Sequence, residues 1–115
     1  MDAASILLKC LKSKHFIDDT EKAKDAVVIE KMTLRKEDDL FIRDTITGMG
    51  TILKEDLKNH YYITTVRLGA LGNVLTQAVI LRSGKEADVA VYAREGLMKR
   101  HLAEKTIQKL KDVLC

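Results

Sequence analysis

The chain has 115 residues, of which 46% are apolar and 32% are charged, so it has enough apolar material for a single folded domain over residues 1–115. Its 20 basic and 17 acidic residues are interleaved and leave a net charge of +3, which argues against disorder and against the concentrated basic stripe of a dedicated nucleic-acid binder. No apolar run reaches the ~18 residues of a membrane span, the first residues lack the shape of a secretory signal, and the two cysteines form no C-x-x-C motif, so we expect a cytoplasmic protein with no membrane partner.

The first element in the chain is an amphipathic helix over residues 3–16. Ile6, Leu7, Cys10 and Leu11 follow the 3.6-residue period and form one apolar stripe, with lysines on the opposite side. Asp2 is in position to cap the helix, and the polar sequence IDDTEKAKD that follows reads as a connector.

The pattern changes to alternation after residue 25. The segments AVVIEKMTL (26–34) and DLFIRDTIT (39–47) both alternate, and the polar RKED between them suits a turn, so we predict an antiparallel hairpin. The segment TILKEDLKN (51–59) is ambiguous, because Thr51 could cap a short helix or the residues could form an irregular connection.

The segment YYITTVRL (61–68) is almost entirely β-branched or aromatic and predicts a strand. The glycine-containing RLGALGN (67–73) then forms either a hairpin turn or a strand-to-helix loop that could hold an anion. Periodicity in NVLTQAVILRSG (73–84) favours a helix, whereas residue types and turn lengths favour a strand that pairs with EADVAVYA (86–93). We adopt the strand and the hairpin turn, since the dinucleotide fingerprint G-x-G-x-x-G is absent.

The C-terminal segment from Met98 carries the clearest helical pattern. Its apolar stripe consists of Leu102, Ala103, Thr106, Ile107, Leu110, Val113 and Leu114. The predicted fold is therefore α+β: an antiparallel sheet of four to five strands arranged as a meander, flanked by an N-terminal helix and a longer C-terminal helix. We expect both helices to cover the same face of the sheet.

The sequence contains no catalytic signature. His60 and Tyr62 would share one face of a strand and could serve acid–base chemistry, but aromatic residues at a strand start are more typical of packing. No serine or cysteine stands out as a nucleophile, and the three histidines lack metal-ligand spacing, so we expect no catalytic residues, no metal and no cofactor.

A basic corner lies within residues 94–101. Arg94, Lys99 and Arg100 crowd the start of the C-terminal helix, where cations oppose the helix dipole and where an anionic ligand or an acidic partner would relieve that conflict. Together with His60 and Tyr62, these residues form the predicted ligand- or anion-binding set.

The function that this sequence favours is a small ligand-binding or protein-interaction module that forms homo-oligomers through an exposed sheet face or an edge strand. The alternative is a weak nucleic-acid or anion binder that uses the basic corner, extended by Lys9, Lys12 and Lys14 if the two helices lie side by side. An enzyme centred on His60 is the least favoured of the three classes. The ligand or partner itself is not specified by the sequence.

Overall fold

The computed structural model describes residues 2–14, 17, 23, 26–69, 74–93 and 99–115. Within these residues the chain forms three helices and one sheet of five strands. In chain order the elements are α1 (Ala3–Ser13), β1 (Val28–Thr33), α2 (Asp39–Thr47), β2 (Ile52–Asp56), β3 (Tyr61–Leu68), β4 (Val74–Ser83), β5 (Glu86–Tyr92) and α3 (Lys99–Leu114). Among the described helices, none has the length and apolar character needed to cross a membrane.

The sheet has the strand order β1-β5-β4-β3-β2, and every neighbouring pair is antiparallel. Strands β2 to β5 form a meander, and β1 joins the sheet beside β5. The N-terminal helix has 11 residues and begins at Asp2, whose side chain accepts a hydrogen bond from the Ser5 amide at 2.8 Å. The C-terminal helix is longer, with 16 residues. The predicted α+β class and its two flanking helices are thus confirmed.

The segment DLFIRDTIT does not form the predicted strand and is the helix α2. Asp38 caps it by accepting a hydrogen bond from the Leu40 amide at 2.9 Å. Its buried side chains are Ile42 and Ile46, which lie four residues apart and so fit both a strand face and a helix face. The hydrogen bond from the Leu40 amide to the Asp38 side chain stabilises the first turn and so favours the helix. The next segment was predicted as a short helix or an irregular connection, but residues 52–56 form the edge strand β2.

The segment after RLGALGN is the strand β4, and the helical alternative for residues 73–84 is wrong. Leu68 pairs with Val74 at the end of the β3–β4 ladder, and Gly69 adopts a φ of +87°, which favours glycine. Residues 70–73, the rest of the predicted turn, lie outside the described residues. The hairpin interpretation is therefore confirmed by its two strands.

The helices cover opposite faces of the sheet, so the prediction that both terminal helices cover one face is wrong. On the α2–α3 face, Ile42, Ile46 and Leu110 pack on the strands; the buried strand residues of that face include Met32, Tyr62, Val66, Ala78, Ile80, Val89 and Val91. On the α1 face, Ala3, Leu7 and Leu11 pack on Tyr61, Ile63, Val79, Ala90 and Tyr92. Because successive strand residues point to opposite faces, the apolar runs of β3, β4 and β5 supply both cores.

Candidate functional site

The main candidate site is a groove on the α1 face, which we call the lysine groove. Helix α1 makes its most extensive contacts with β4 and β5, and the groove lies between the helix and residues of β2 and β3. Leu53, Tyr61 and Ile63 line the sheet side of the groove, and Ile6 and Cys10 line the helix side. The cavity has a volume of about 490 Å³. A cavity of this volume, lined by apolar side chains of α1 and of the sheet, is within the usual range for a small-molecule site, about 300–1,000 Å³.

Three lysines line the groove and come from both of its sides. Lys9 lies within α1, Lys14 is the C-cap residue of α1, and Lys54 belongs to β2. The Lys54 ammonium lies 5.7 Å from the centroid of the Tyr61 ring, and hydrogen bonding to the Tyr61 side chain raises the pKa of Lys54. No carboxylate is found among the described side chains that line this groove, although the Asp56 carboxylate acts on Lys54 from outside it.

The Cys10 thiol adds a soft apolar surface to the groove. Burial raises the pKa of Cys10, and the charges of Lys14 and Lys54 only partly oppose this rise. The thiol is therefore protonated at neutral pH, and a nucleophilic role, which requires the thiolate, has no support in this environment.

A second groove lies on the other flank of α1, beside β1, and we call it the β1-side groove. Its volume is about 540 Å³, and Leu8, Ile29 and Asp88 are among the residues that line it. Its charged groups already have partners within the chain: Asp2 caps α1, and Asp88 lies 3.8 Å from the Lys31 ammonium. Among the described lining residues, the two grooves therefore differ in charge: the lysine groove is lined by lysines without a carboxylate, and the β1-side groove by charged groups that have partners within the chain.

Tyr62, a member of the predicted binding set, lies in the core beneath α2. Its hydroxyl donates a hydrogen bond of 2.8 Å to Asp39 Oδ1, and Arg82 Nη2 donates to the same oxygen at 3.1 Å. Burial and the Asp39 carboxylate raise the pKa of Tyr62, so the phenol stays protonated. With 1% of its surface exposed, Tyr62 offers a ligand nothing, and its role is to hold α2 on the sheet.

His60 does not share a strand face with Tyr62, because β3 begins at Tyr61. The histidine occupies the turn between β2 and β3, is exposed, and has a φ of +59°. Its carbonyl accepts a hydrogen bond from the Arg82 amide at 2.8 Å, which anchors the turn to β4. His60 and Tyr62 therefore share no strand face, although both act on Asp39: Tyr62 donates a hydrogen bond to its carboxylate, and His60 helps to lower its pKa.

The predicted basic corner falls largely outside the described residues. Arg94 lies outside them, and so do the side chains of Lys99 and Arg100, although α3 begins at Lys99. Since α1 and α3 cover opposite faces of the sheet, the two helices do not lie side by side, which was the condition for extending the corner with the lysines of α1.

The lysine groove was not predicted from the sequence, because Lys54 was not assigned to a strand. The segment ILKED (52–56) has no alternation of apolar and polar residues, so the only signal for a strand was its position before the stronger strand β3. Even with that assignment, the position of α1 over β4 and β5 depends on contacts distant in sequence.

Within the described residues, no group of three or more histidine, cysteine or acidic side chains converges as a metal site would require. No protein-family model, no curated protein and no solved structure matches the chain. We therefore infer a function from the geometry of the two grooves.

Proposed function

We propose that the protein binds a small organic anion with an apolar body in the lysine groove. The observation that carries this proposal is the joint presence of an apolar floor and three lysines, from α1 and β2, without a carboxylate among the described lining residues.

The apolar floor favours the body of such a ligand. Ile63 is almost fully buried and Leu53 partly exposed, so a ligand that covers Leu53 removes further apolar surface from water. The removal of each 100 Å² of apolar surface is worth about 2.5 kcal/mol before the costs of association. The floor therefore supplies most of the affinity, and it requires no particular shape beyond a flat or extended apolar group.

The lysines favour an anionic head group. Lys9, Lys14 and Lys54 remain solvated, so each contributes only a weak attraction that water and salt screen. Their placement on both sides of the groove selects a ligand whose charge lies at the rim above its apolar body. A carboxylate, sulfonate or phosphate group would satisfy this requirement.

The direct test is a fluorescence titration with 1-anilinonaphthalene-8-sulfonate, which joins a sulfonate to an aromatic body, followed by displacement with decanoate. We expect saturable binding at one site and competitive displacement. Backbone chemical-shift changes on addition of decanoate should cluster at residues 5–14, 53, 54 and 61–63. Shifts located elsewhere, or no saturable binding, would refute the proposal.

Matched charge variants assign the binding to the groove. Lys54→Gln and Lys14→Gln should each weaken binding about two- to fivefold, because one screened ion pair is lost. Lys105→Gln removes the same charge from an exposed position on α3, on the opposite face, and should leave the affinity unchanged. Equal losses in all three variants would mean that the anion responds only to net charge.

The alternative function, nucleic-acid binding through the basic corner, predicts a different outcome. The protein would then be retained on heparin or on a DNA fragment, with a steep loss of affinity as salt increases. Substitution of Lys99 and Arg100 by glutamine would abolish retention, and Lys54→Gln would not.

A further inference from the structure

The outer edge of β1 has the features of a strand that accepts a partner. Its register with β5 is continuous from Val28↔Val91 to Thr33↔Glu86, and no described strand pairs with its other edge. The Leu34 amide donates to the Lys85 carbonyl at 2.6 Å, which fixes the direction of the alternating backbone groups. The amides and carbonyls of Ile29, Lys31 and Thr33 therefore point away from the sheet.

The edge strand on the opposite side, β2, is protected from such pairing. Its register with β3 shifts between Ile52 and Lys54, and a bulge of this kind interrupts the row of backbone groups. Helix α2 also reaches this strand, since Arg43 lies 3.6 Å from the Glu55 carboxylate. Of the two edges, β1 is the regular one.

Side chains on β1 also favour a partner at this edge. Ile29 is 58% exposed, the largest exposed fraction among the large apolar side chains described as exposed. The two charged residues of β1 are engaged within the chain: Glu30 contacts Lys111 at 2.8 Å and Lys31 lies 3.8 Å from Asp88. The Lys31 side chain is nevertheless 83% exposed, so a partner strand must bind in a register that keeps it away from another cation.

We propose that β1 pairs antiparallel with β1 of a second copy of this chain, about a two-fold axis at Ile29. This register places Ile29 opposite Ile29 of the second copy, Lys31 opposite Val27 and Glu30 opposite Val28. Registers centred on Glu30 or Lys31 place like charges directly opposite each other, which destabilises antiparallel pairs. The chosen register buries the exposed isoleucine in both copies and makes one isologous interface.

The dimer would have a continuous sheet of ten strands, five from each copy. The β1-side grooves of the two copies meet on either side of the isoleucine pair, so Leu8 in each copy gains further cover. Both lysine grooves remain at the outer ends of the sheet, beside β2 and β3. This inference is therefore independent of the proposed ligand and can fail without it.

The test is the molar mass of the full chain across a dilution series, measured by light scattering coupled to size exclusion. We expect a dimer that dissociates on dilution. Ile29→Lys places two ammonium groups opposite each other and should weaken dimerisation about tenfold or more. Leu75→Lys changes a leucine that is 49% exposed on β4, away from the edge, and should leave the dimer intact. A monomeric wild type, or an Ile29→Lys variant that remains as dimeric as Leu75→Lys, would overturn the proposal; circular dichroism verifies that both variants are folded.

Cross-linking tests the register. In a background where Cys10 and Cys115 are replaced by serine, Ile29→Cys should form an intermolecular disulfide under mild oxidation, because directly opposite residues lie within disulfide range. Lys31→Cys in the same background should not, since its two copies are offset along the strands. Cross-linking of Lys31→Cys with none of Ile29→Cys would overturn the assigned register.

Discussion

The two faces of the sheet differ in how completely they are covered. The α2–α3 face lies beneath two helices, and its core extends from Met32 on β1 across β5, β4 and β3. On the α1 face, the helix α1 of 11 residues contacts mainly β4 and β5, Ile17, Ala23 and Ala26 add to the same core, and a groove lies on each flank of the helix. One sheet thus supports a closed core on one side and accessible surface on the other.

This difference indicates how a small domain divides its tasks. The closed face supplies most of the burial that stabilises the fold, and the open face keeps apolar side chains such as Leu53 and Ile29 within reach of a partner or ligand. Changes on the closed face should therefore affect stability, whereas changes at the flanks of α1 should affect binding. The predictions below test that division.

The largest effect is expected at Gly50, where the chain enters β2 beside β3. A Cβ atom at this position would overlap the Thr65 carbonyl group. The neighbouring ladder is fixed by Thr51, whose amide donates to Thr65 Oγ1 at 2.9 Å, so the backbone has little freedom to yield. Gly50→Ala should destabilise the protein by about 4 kcal/mol or more, measured by urea denaturation.

Gly48→Ala is the matched control for this prediction. Gly48 caps α2 with helical backbone angles, and a Cβ there would meet its nearest atom, the Thr45 carbonyl oxygen, at 3.4 Å. The change should be neutral or slightly stabilising, because alanine restricts the unfolded chain more than glycine does. Similar large losses in both variants would contradict the steric argument.

The next prediction compares the loss of stability when one buried leucine on each face of the sheet is replaced by alanine. Leu110 on α3 and Leu7 on α1 are both fully buried. Leu110→Ala should cost about 3–4 kcal/mol and Leu7→Ala about 2–3 kcal/mol, because the open flanks of α1 allow neighbouring groups to relax into the space left. Denaturation curves measure both costs. A larger cost for Leu7→Ala would show that the α1 face is the more tightly packed one.

A smaller effect is expected from the buried hydroxyl pair on the closed face. Thr76 Oγ1 on β4 lies 2.8 Å from Thr106 Oγ1 on α3, and both residues are buried. Thr106 also donates to the Leu102 carbonyl at 2.9 Å. Thr76→Val should cost about 1–2 kcal/mol, since it removes one partner and leaves the other buried.

The double variant Thr76→Val/Thr106→Val completes a mutant cycle. It should cost less than the sum of the two single changes, because valine at both positions leaves neither hydroxyl unpaired. Additive costs would mean that the two hydroxyls do not interact across the interface between β4 and α3.

The sequence was sufficient for the elements in which residue type and periodicity agree. The helices α1 and α3 and the strand β1 were predicted on that basis, whereas residue types and turn lengths decided for the strand β4 against its helical periodicity. The helix α2 was missed because Ile42 and Ile46 satisfy both periods, and only the contact between the Asp38 side chain and the Leu40 amide separates them. Such a cap is a local signal, and it was available in the sequence as an aspartate before an apolar pattern.

The candidate site was less accessible to sequence reasoning. The lysine groove depends on which strands α1 covers, and this is decided by Leu7 and Leu11 packing on residues far along the chain. Tyr62 shows the same limit. Its hydroxyl contacts Asp39, which is 23 positions earlier in the chain, and Asp39 in turn contacts Arg82, which is 43 positions after Asp39. Periodicity assigns a residue to a face, and the chemistry of that face is set by the elements that cover it.

The smallest effect concerns the pH dependence of stability at Asp39, on the closed face. Burial by itself raises the pKa of Asp39, but the hydrogen bond from Tyr62 and the charge and hydrogen bond of Arg82 outweigh it and lower the pKa below its usual value. The unfolded chain therefore binds this proton more readily than the folded one. The contribution of Asp39 is fully present above the unfolded pKa of about 3.9 and is lost as the pH falls through the lower folded value.

Urea denaturation at pH 7 and pH 3 of the wild type and Asp39→Asn isolates this contribution, because all other acids titrate in both proteins. The wild type should lose more stability than the variant between the two pH values. The difference should be modest, since 38% of the Asp39 side chain is exposed and water screens the pair. Equal losses would show that the Asp39–Arg82 contact does not stabilise the closed face, and α2 would then be held there by Ile42 and Ile46 alone.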